Sequence, residues 1–273
     1  MSFQRLISRL AAVCTLGLST RPSVRLSLRR GLHRILCCAL RWRSRPFPVG
    51  RAGPMLVLAP HQDDEALGCG GLLLRQRRAG VEIEIVYITD GGASHPGHPT
   101  LSPETLVLQR QAEARAAMHR IGVDSARLEF LGVPDGTLAH LEPGAAAVLS
   151  ARLAALFRRK RPAEIFLPCR RDGSSEHDAA FALARSALIE TGLTARVFEF
   201  PVWSWWNPLL LVRPLCTSRR VWRVTYHGDE RAKREALAAY PSQTEATPPW
   251  TAPILSPEFV SFFSSSEEFF FES

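Results

Sequence analysis

One imidazole and two adjacent carboxylates stand close together in the run APHQDDE at Ala59–Glu65. The apolar run Met55–Leu58 comes directly before it, so His61, Asp63 and Asp64 follow what looks like a buried strand. Charged side chains at such a place must be solvated, paired or bound to a metal. Imidazole nitrogens and carboxylate oxygens are common metal ligands, and one carboxylate would remain for proton transfer.

Three glycines, Gly68, Gly70 and Gly71, follow this run. Because glycine lacks a Cβ atom, they predict a backbone that turns closely around a bound ligand. Their spacing differs from that of a dinucleotide-binding loop, and they follow the acids instead of joining a strand to a helix. A dinucleotide-binding oxidoreductase is therefore a weaker alternative for this chain. Measuring the metal content of the protein would distinguish it from a metal-dependent enzyme.

The elements that must position these residues can be predicted from residue 54 onward. Strand-like runs bounded by turn residues alternate with segments of helical periodicity. The predicted strands are Met55–Ala59, Ile83–Thr89, Leu128–Val133, Glu164–Pro168 and Arg196–Val202. The predicted helices are Glu65–Ala79, Pro103–Ile121, Ala145–Arg159 and His177–Thr191. This alternation predicts an α/β, Rossmann-like fold, a mostly parallel sheet with helices on both faces.

Polar side chains also follow the other predicted strands at the points where these end. They are Asp90 after the second strand, Asp135 after the third, and Asp172, Glu176 and His177 after the fourth. Ligands of open parallel sheets bind outside the carboxyl ends of the strands. We therefore expect these groups and the run after the first strand to face one crevice.

Taken together, these motifs resemble those of the PIG-L/LmbE-like zinc deacetylases. The run at residues 59–65 is similar to the family motif A-H-P-D-D-E or P-H-x-D-D-E. Further matches are Thr89-Asp90-Gly91, Arg110-x-x-Glu113, Leu131-Gly132-x-x-Asp135-Gly136 and Lys233 with Tyr240-x-Ser242-Gln243. The resemblance covers roughly residues 54–245. It implies an LmbE-like fold and a hydrolase that removes the N-acetyl group from an N-acetylglucosamine-type sugar conjugate, releasing acetate and a free amine.

The resemblance also assigns roles to single residues. It implies that His61, Asp64 and His177 hold Zn²⁺ or another divalent ion and that Asp63 is the general base. Two imidazoles and one carboxylate leave an open position for water, the pattern of catalytic zinc. The expected partner is an N-acetylated sugar conjugate, lipid-linked in some members of the family.

Each assignment has a structural alternative. Arg110 and Asp135 are expected to bind the substrate, but Arg110 could instead pair with Glu113, and Asp135 could form a turn. Asp63 and Asp64 could cap the next helix. The two histidines of the loop after Asp90, His95 and His98, are expected to be exposed loop residues. As an alternative, they could line the entrance of the crevice.

The segment Asp172–His177 departs from the family pattern, because Ser174 stands where the family often has another histidine and Glu176 replaces an aspartate. A catalytically weak or silent sugar-conjugate-binding protein on the same scaffold is therefore the second hypothesis. Release of an amine from an N-acetyl sugar would separate the two.

Residues 1–50 carry the basic character of the chain, with ten arginines and no acidic residue. The remaining residues hold 24 basic and 26 acidic side chains, a formal charge of −2. We predict a basic amphipathic arm at residues 1–50 and the deacetylase domain at residues 51–273. Amphipathic helices at Leu6–Leu18 and Val24–Leu40 would suit an anionic membrane surface, whereas a targeting peptide or a solvated tail are alternatives.

The six cysteines show no CxxC spacing and no disulfide framework, which favours a reducing compartment. The expected location is the cytoplasm, with peripheral membrane association through the arm. No nucleic-acid partner is expected, because one aromatic residue, Trp42, lies among the arginines and no binding fold follows. The aromatic run Trp203–Trp206 and the Phe-rich segment 259–271 could pack in the core, form an oligomer contact or face a membrane or lipid beside the crevice.

Overall fold

The computed structural model describes residues 22–273, and an eight-stranded sheet runs through them. Its strands are β1 Ser44–Pro46, β2 Met55–Ala59, β3 Ile83–Thr89, β4 Leu128–Val133, β5 Glu164–Pro168, β6 Arg196–Phe200, β7 Arg220–Thr225 and β8 Glu267–Glu272. Their order is β1-β7-β8-β6-β5-β2-β3-β4. Strand β8 is antiparallel to both neighbours and the other pairs are parallel. The predicted mixed α/β fold with a mostly parallel sheet is confirmed.

The helices are α1 Pro22–Arg43, α2 Asp64–Arg78, α3 Pro103–Ile121, α4 Pro143–Lys160, α5 Ser175–Thr191, α6 Trp203–Trp206, α7 Val212–Thr217, α8 Glu230–Leu237, α9 Pro241–Thr244 and α10 Pro257–Ser261. The four helices predicted between strands are α2 to α5, each within two residues of its predicted bounds. The Ser102 hydroxyl caps α3 by accepting the backbone N–H of Thr105, and the Ser174 hydroxyl caps α5 by accepting the backbone N–H of His177.

The strands divide their side chains between two cores. On β2, Met55 and Val57 face one core, and Leu56 and Leu58 face the other. Helices α1, α2 and α3 contribute to the first core, and α4 and α5 to the second. Because helices cover both faces, β2, β3 and β5 are buried along their whole length.

The glycines after the first strand lie inside α2 and serve packing. A Cβ atom on Gly68 would lie 2.3 Å from the ring of Phe200, and one on Gly71 would lie 2.2 Å from the ring of Tyr226. Side chains larger than hydrogen would therefore push α2 off the sheet. The expectation that these glycines turn the backbone around a ligand was wrong.

The described part of the predicted arm packs on the domain. Leu32, Leu36 and Leu40 form one face of α1 and are buried in the first core. Strand β1 pairs with β7, and Arg41 donates to Glu267 at 2.5 Å. A separate arm therefore stays a prediction only for residues 1–21. Residues of α1 belong to the first core and β1 belongs to the sheet, so both are part of the domain. The predicted helix at residues 6–18 lies outside the described residues.

Aromatic residues of the two segments left open by the sequence pack in the core. Trp205 is 8% exposed, and Phe269, Phe270 and Phe271 of β8 are at most 3% exposed. Within residues 22–273, no helix has the length and apolar character needed to cross a membrane.

We expect Leu36→Ala to destabilise the protein by about 2–5 kcal/mol, because Leu36 is 1% exposed and its removal leaves a cavity. The adjacent Ile35 is 47% exposed, so Ile35→Ala should change stability by no more than about 0.5 kcal/mol. Urea unfolding of both full-length variants measures the difference. Equal stability of the two variants would show that α1 does not contribute to the core.

Candidate functional site

The carboxyl ends of β2 and β5 bring the predicted site residues together. These strands pair in parallel although β3 and β4 come between them in the chain, so the direction of winding reverses here. Such a switch point opens a crevice between the loops. The loop after β2 carries His61 and Asp63, and Asp64 is the first residue of α2. His177 lies in the first turn of α5, after β5.

Three of these side chains point at one another. Asp64 Oδ2 lies 3.2 Å from His61 Nδ1 and 3.3 Å from His177 Nε2. One ligand atom from each residue lies within 4.8 Å of the other two. Two imidazoles and a carboxylate match the donor set of a catalytic zinc site.

His177 is prepared to act as a metal ligand. Its Nε2 atom is buried and makes no hydrogen bond with any described residue, whereas Nδ1 lies 2.9 Å from Asp172 Oδ2. A proton held on Nδ1 by a carboxylate would leave the lone pair of Nε2 facing Asp64 and His61. The residues present therefore fit a divalent ion.

Asp172 is itself fixed by the loop after β6. Its carboxylate accepts hydrogen bonds from the backbone N–H groups of Val202, Trp203 and Ser204 at 2.9–3.2 Å, and from the Ser204 hydroxyl. The Asp172 side chain is fully buried. Its fixed position orients the His177 ring, a role that the sequence signalled only by placing an acid five residues before the histidine.

A second group of possible metal ligands consists of His61, Asp135 and Glu176, and so has His61 in common with the first. The Nε2 atom of His61 lies 2.7 Å from Glu176 Oε2 and 3.3 Å from Asp135 Oδ1. Both acids also accept backbone N–H groups, Glu176 from Leu138 and Asp135 from Ala93. Because these three side chains already satisfy one another, the group with His177 is the stronger candidate for a metal.

Carboxylates outnumber imidazoles in this site. Burial lowers the pKa of His177, but the nearby charge of Asp64 and the hydrogen bond to Asp172 raise it to about 9. Burial also lowers the pKa of His61, and hydrogen bonds to three carboxylates raise it well above its usual value. This excess of negative charge attracts cations.

The two adjacent aspartates have different surroundings. Burial raises the pKa of Asp64, but His177 and His61 hold that pKa well below its usual value. Burial raises the pKa of Asp63 to about 7, although the positive charge of Arg110 lowers it in part. The Nη2 atom of Arg110 lies 3.5 Å from Asp63 Oδ2. Asp63 belongs to neither donor group, although it lines the same cavity.

Arg110 is 2% exposed and donates to backbone carbonyls, from Nη2 to Gln62 at 2.6 Å and from Nη1 to Gly91 at 3.3 Å. Glu113 instead accepts from the backbone N–H and the hydroxyl of Ser242 at 3.0 and 2.6 Å. The alternative of an Arg110–Glu113 pair is therefore wrong. The role of Arg110 in substrate binding stays a prediction.

Asp90 organises the loops and contributes no ligand. Its Oδ1 atom accepts the backbone N–H groups of Gly92 at 2.9 Å and of Asp135 at 3.0 Å. It thereby ties the loop after β3 to the loop after β4. Asp135 lines the cavity, and its role in substrate binding stays a prediction.

A cavity of about 570 Å³ opens over these residues. Its lining includes the polar side chains of His61, Asp63 and Asp64. It also includes the apolar side chains of Trp203, Leu255 and Phe259. The rings of Trp203 and Phe259 lie 4.8 Å apart. The two aromatic segments whose role the sequence left open thus contribute to the cavity lining as well as to the core.

A second cavity of about 600 Å³ adjoins the first, and both are lined by Ala93 and Asp135. His95 and His98 line it and are 5% and 9% exposed. Their rings pack against Trp250 at 5.3 and 5.1 Å. The expectation that both histidines are exposed loop residues was wrong, because Trp250 covers them.

Comparison with known proteins agrees with this geometry. The family model "PIG-L: GlcNAc-PI de-N-acetylase" matches residues 56–188, a range that contains all the predicted site residues. The resemblance drawn from the sequence motifs is thereby confirmed.

Solved structures share the fold. The conserved protein TT1542 from Thermus thermophilus is 28% identical, with a TM-score of 0.53 over 69% of this chain and 79% of that one. The N,N'-diacetylchitobiose deacetylase from Pyrococcus horikoshii is 18% identical, with a TM-score of 0.54 over 88% and 79%. The 4-carboxy-2-hydroxymuconate hydratase from Pseudomonas putida is 16% identical, with a TM-score of 0.59 over 78% and 83%. A deacetylase and a hydratase on one fold show that the fold alone does not fix the reaction.

We expect Asp172→Asn to weaken zinc binding by about 10–100-fold, because an amide does not hold the Nδ1 proton of His177 as a carboxylate does. Competition with a chromophoric chelator measures the affinity. Asp124→Asn is the matched control, since Asp124 is exposed and caps a turn away from the site. Unchanged zinc affinity in Asp172→Asn would contradict the assignment of His177 as a ligand.

Proposed function

We propose that this chain, whose residues 56–188 match the PIG-L family model, is a zinc-dependent hydrolase that removes the N-acetyl group from an N-acetylglucosamine-type sugar conjugate. The observation that carries the proposal is the donor group of His61, Asp64 and His177 beside the separate carboxylate of Asp63. A deacetylase of N,N'-diacetylchitobiose among the structural neighbours supports the same reaction.

A divalent ion bound by His61, Asp64 and His177 would polarise the amide carbonyl and make water a better nucleophile. Asp172 keeps His177 in the orientation and tautomer that binding requires. Asp63 takes a proton from the attacking water and returns it to the leaving nitrogen. The products are acetate and a free amine.

Ser174 bears on the alternative of a catalytically silent protein. Its hydroxyl accepts the backbone N–H of His177 at 3.4 Å and lines the cavity where relatives often carry an imidazole. We therefore assign the acid for the leaving nitrogen to Asp63, a cavity-lining carboxylate that belongs to neither donor group. A silent protein would bind the ion and the sugar but release no amine.

The cavity supports a conjugate with an apolar acceptor. The cavity lining combines the polar groups that the N-acetyl group must reach with the apolar side chains of Trp203, Leu255 and Phe259. An aromatic and aliphatic lining of this kind binds hydrocarbon more readily than a second charged group. We propose a lipid-linked sugar as the substrate class.

We also propose that α1 rests on the cytoplasmic surface of an anionic membrane. Trp42 is 89% and Ile35 is 47% exposed, and both point away from the buried leucines of α1. Residues 22–50 contain seven arginines and no acidic residue. Exposed apolar groups among cationic ones are the pattern of an interfacial helix.

We expect Asp63→Asn to keep its zinc and to lose about 10²–10⁴-fold in turnover, because the amide cannot accept a proton. His177→Ala should lose zinc as well as turnover. Amine release from a panel of N-acetylglucosaminyl compounds, with and without chelator, measures turnover, and elemental analysis measures zinc. Zinc-loaded wild-type protein that releases no amine from any of them would favour the silent alternative, and full zinc in His177→Ala would contradict the ligand set.

We expect Trp42→Ser in the full chain to reduce co-sedimentation with phosphatidylserine vesicles by about tenfold, because burial of the indole drives insertion. Binding should weaken with salt and be absent with neutral vesicles. Ile189→Ser is the matched control, since Ile189 is 78% exposed on α5. Binding unaffected by Trp42→Ser would exclude this face of α1.

A further inference from the structure

We propose that Arg110, Glu65 and Tyr240 form a clamp that holds the peptide group between Gln62 and Asp63. The clamp keeps Asp63 in a backbone conformation that would be unfavourable without these contacts. It thereby positions the carboxylate of Asp63. As positioning residues, its members act through Asp63. The inference rests on the proposed role of Asp63 as the base.

The backbone of Asp63 is strained. Its φ is 142° and its ψ is −27°, outside the regions open to residues that carry a Cβ atom. The other non-glycine residues with positive φ in the described chain, Arg161 and Arg171, have values of 46° and 61°, within the ordinary left-handed region. Strain of this kind persists only where the surroundings enforce it.

Arg110 holds the carbonyl side of the peptide. Its Nη2 atom donates to the carbonyl oxygen of Gln62 at 2.6 Å, and its Nη1 atom donates to Gly91 at 3.3 Å. Because the guanidinium is planar and buried, it fixes the direction of the Gln62 carbonyl. The side chain of Gln62 is tied as well, donating from Nε2 to the carbonyl of Thr89 at 2.8 Å.

Glu65 holds the opposite side of the same peptide. The N–H of Asp63 donates to Glu65 Oε2 at 3.1 Å, and Glu65 Oε1 accepts the hydroxyl of Tyr240. Glu65 and Tyr240 are both fully buried. Tyr240 lies far along the chain, at the start of α9, so the clamp joins this segment to the loop after β2.

The two contacts together prevent rotation of the peptide. A flip would leave a buried guanidinium and a buried carboxylate without these partners, which is costly in a medium of low dielectric constant. The Asp63 carboxylate thus stays in the lining of the cavity instead of turning into a helix-capping position. In agreement, the side chain of Asp63 makes no capping hydrogen bond to α2.

A thermal-melting cycle tests the clamp without relying on activity. Asp63→Gly and Asp63→Ala both remove the carboxylate, but glycine accepts the observed φ without strain. At one zinc concentration, the glycine variant should melt several degrees above the alanine variant. In a Glu65→Leu background this difference should disappear, because the peptide can relax. An alanine variant that melts as high as the glycine variant in the native background would overturn the proposal.

Kinetics provide the second test. Glu65→Leu should lower kcat by about 10²-fold, the scale expected for a base displaced by about 1 Å, with KM and zinc content unchanged. Glu65→Gln keeps an acceptor for the N–H of Asp63 and should recover most of the rate; Tyr240→Phe should fall between them. Glu164→Gln, at another fully buried carboxylate, is the matched control and should leave the rate unchanged.

These outcomes separate the clamp from the proposed function. If wild-type protein releases no amine, the proposed function fails and the melting cycle alone decides the clamp. If wild-type protein is active and Glu65→Leu keeps its kcat, the clamp is overturned while the function stands.

Discussion

The parallel pairing of β2 with β5 is the interaction on which the rest of the site depends. Met55 pairs with Glu164 and Val57 with Phe166, and this register sets how far each strand extends before its loop begins. A slip by one residue would shift one loop by about 3.3 Å and turn every side chain of that strand to the opposite face. His177 would then no longer meet Asp64, and the alternation of β2 between the two cores would be lost.

Much of this arrangement was predictable because its signals are local. The central strands are apolar runs with turn residues at their ends, and β2 through β5 begin and end where the sequence predicts. The candidate ligands are also visible in the sequence, since an imidazole and paired carboxylates after a buried strand need partners. The edge strand β1 and the pair β7 and β8 were missed, because their apolar runs are short or adjoin segments without helical periodicity.

What escaped prediction depends on residues distant in the chain. The packing role of Gly71 requires the ring of Tyr226, and the burial of His95 requires Trp250. Glu113 accepts a hydrogen bond from Ser242, which lies 129 residues away in the chain. The local sequence had instead suggested Arg110, three positions before Glu113, as its partner. Residue type and spacing thus identified the chemistry, whereas the folded chain decided which polar group each side chain contacts.

Strand β8 has a consequence for the synthesis of the chain. It lies between β6 and β7, although both precede it in sequence, and β1 joins the sheet only through β7. On the ribosome, β1 and β7 therefore cannot attach to the other strands until Glu267–Glu272 has emerged. A product terminated before this segment would expose the edges of β6 and β7, and open edges of this kind recruit other chains. Quality control of nascent chains is thus expected to act on such fragments even though every candidate site residue has already been made.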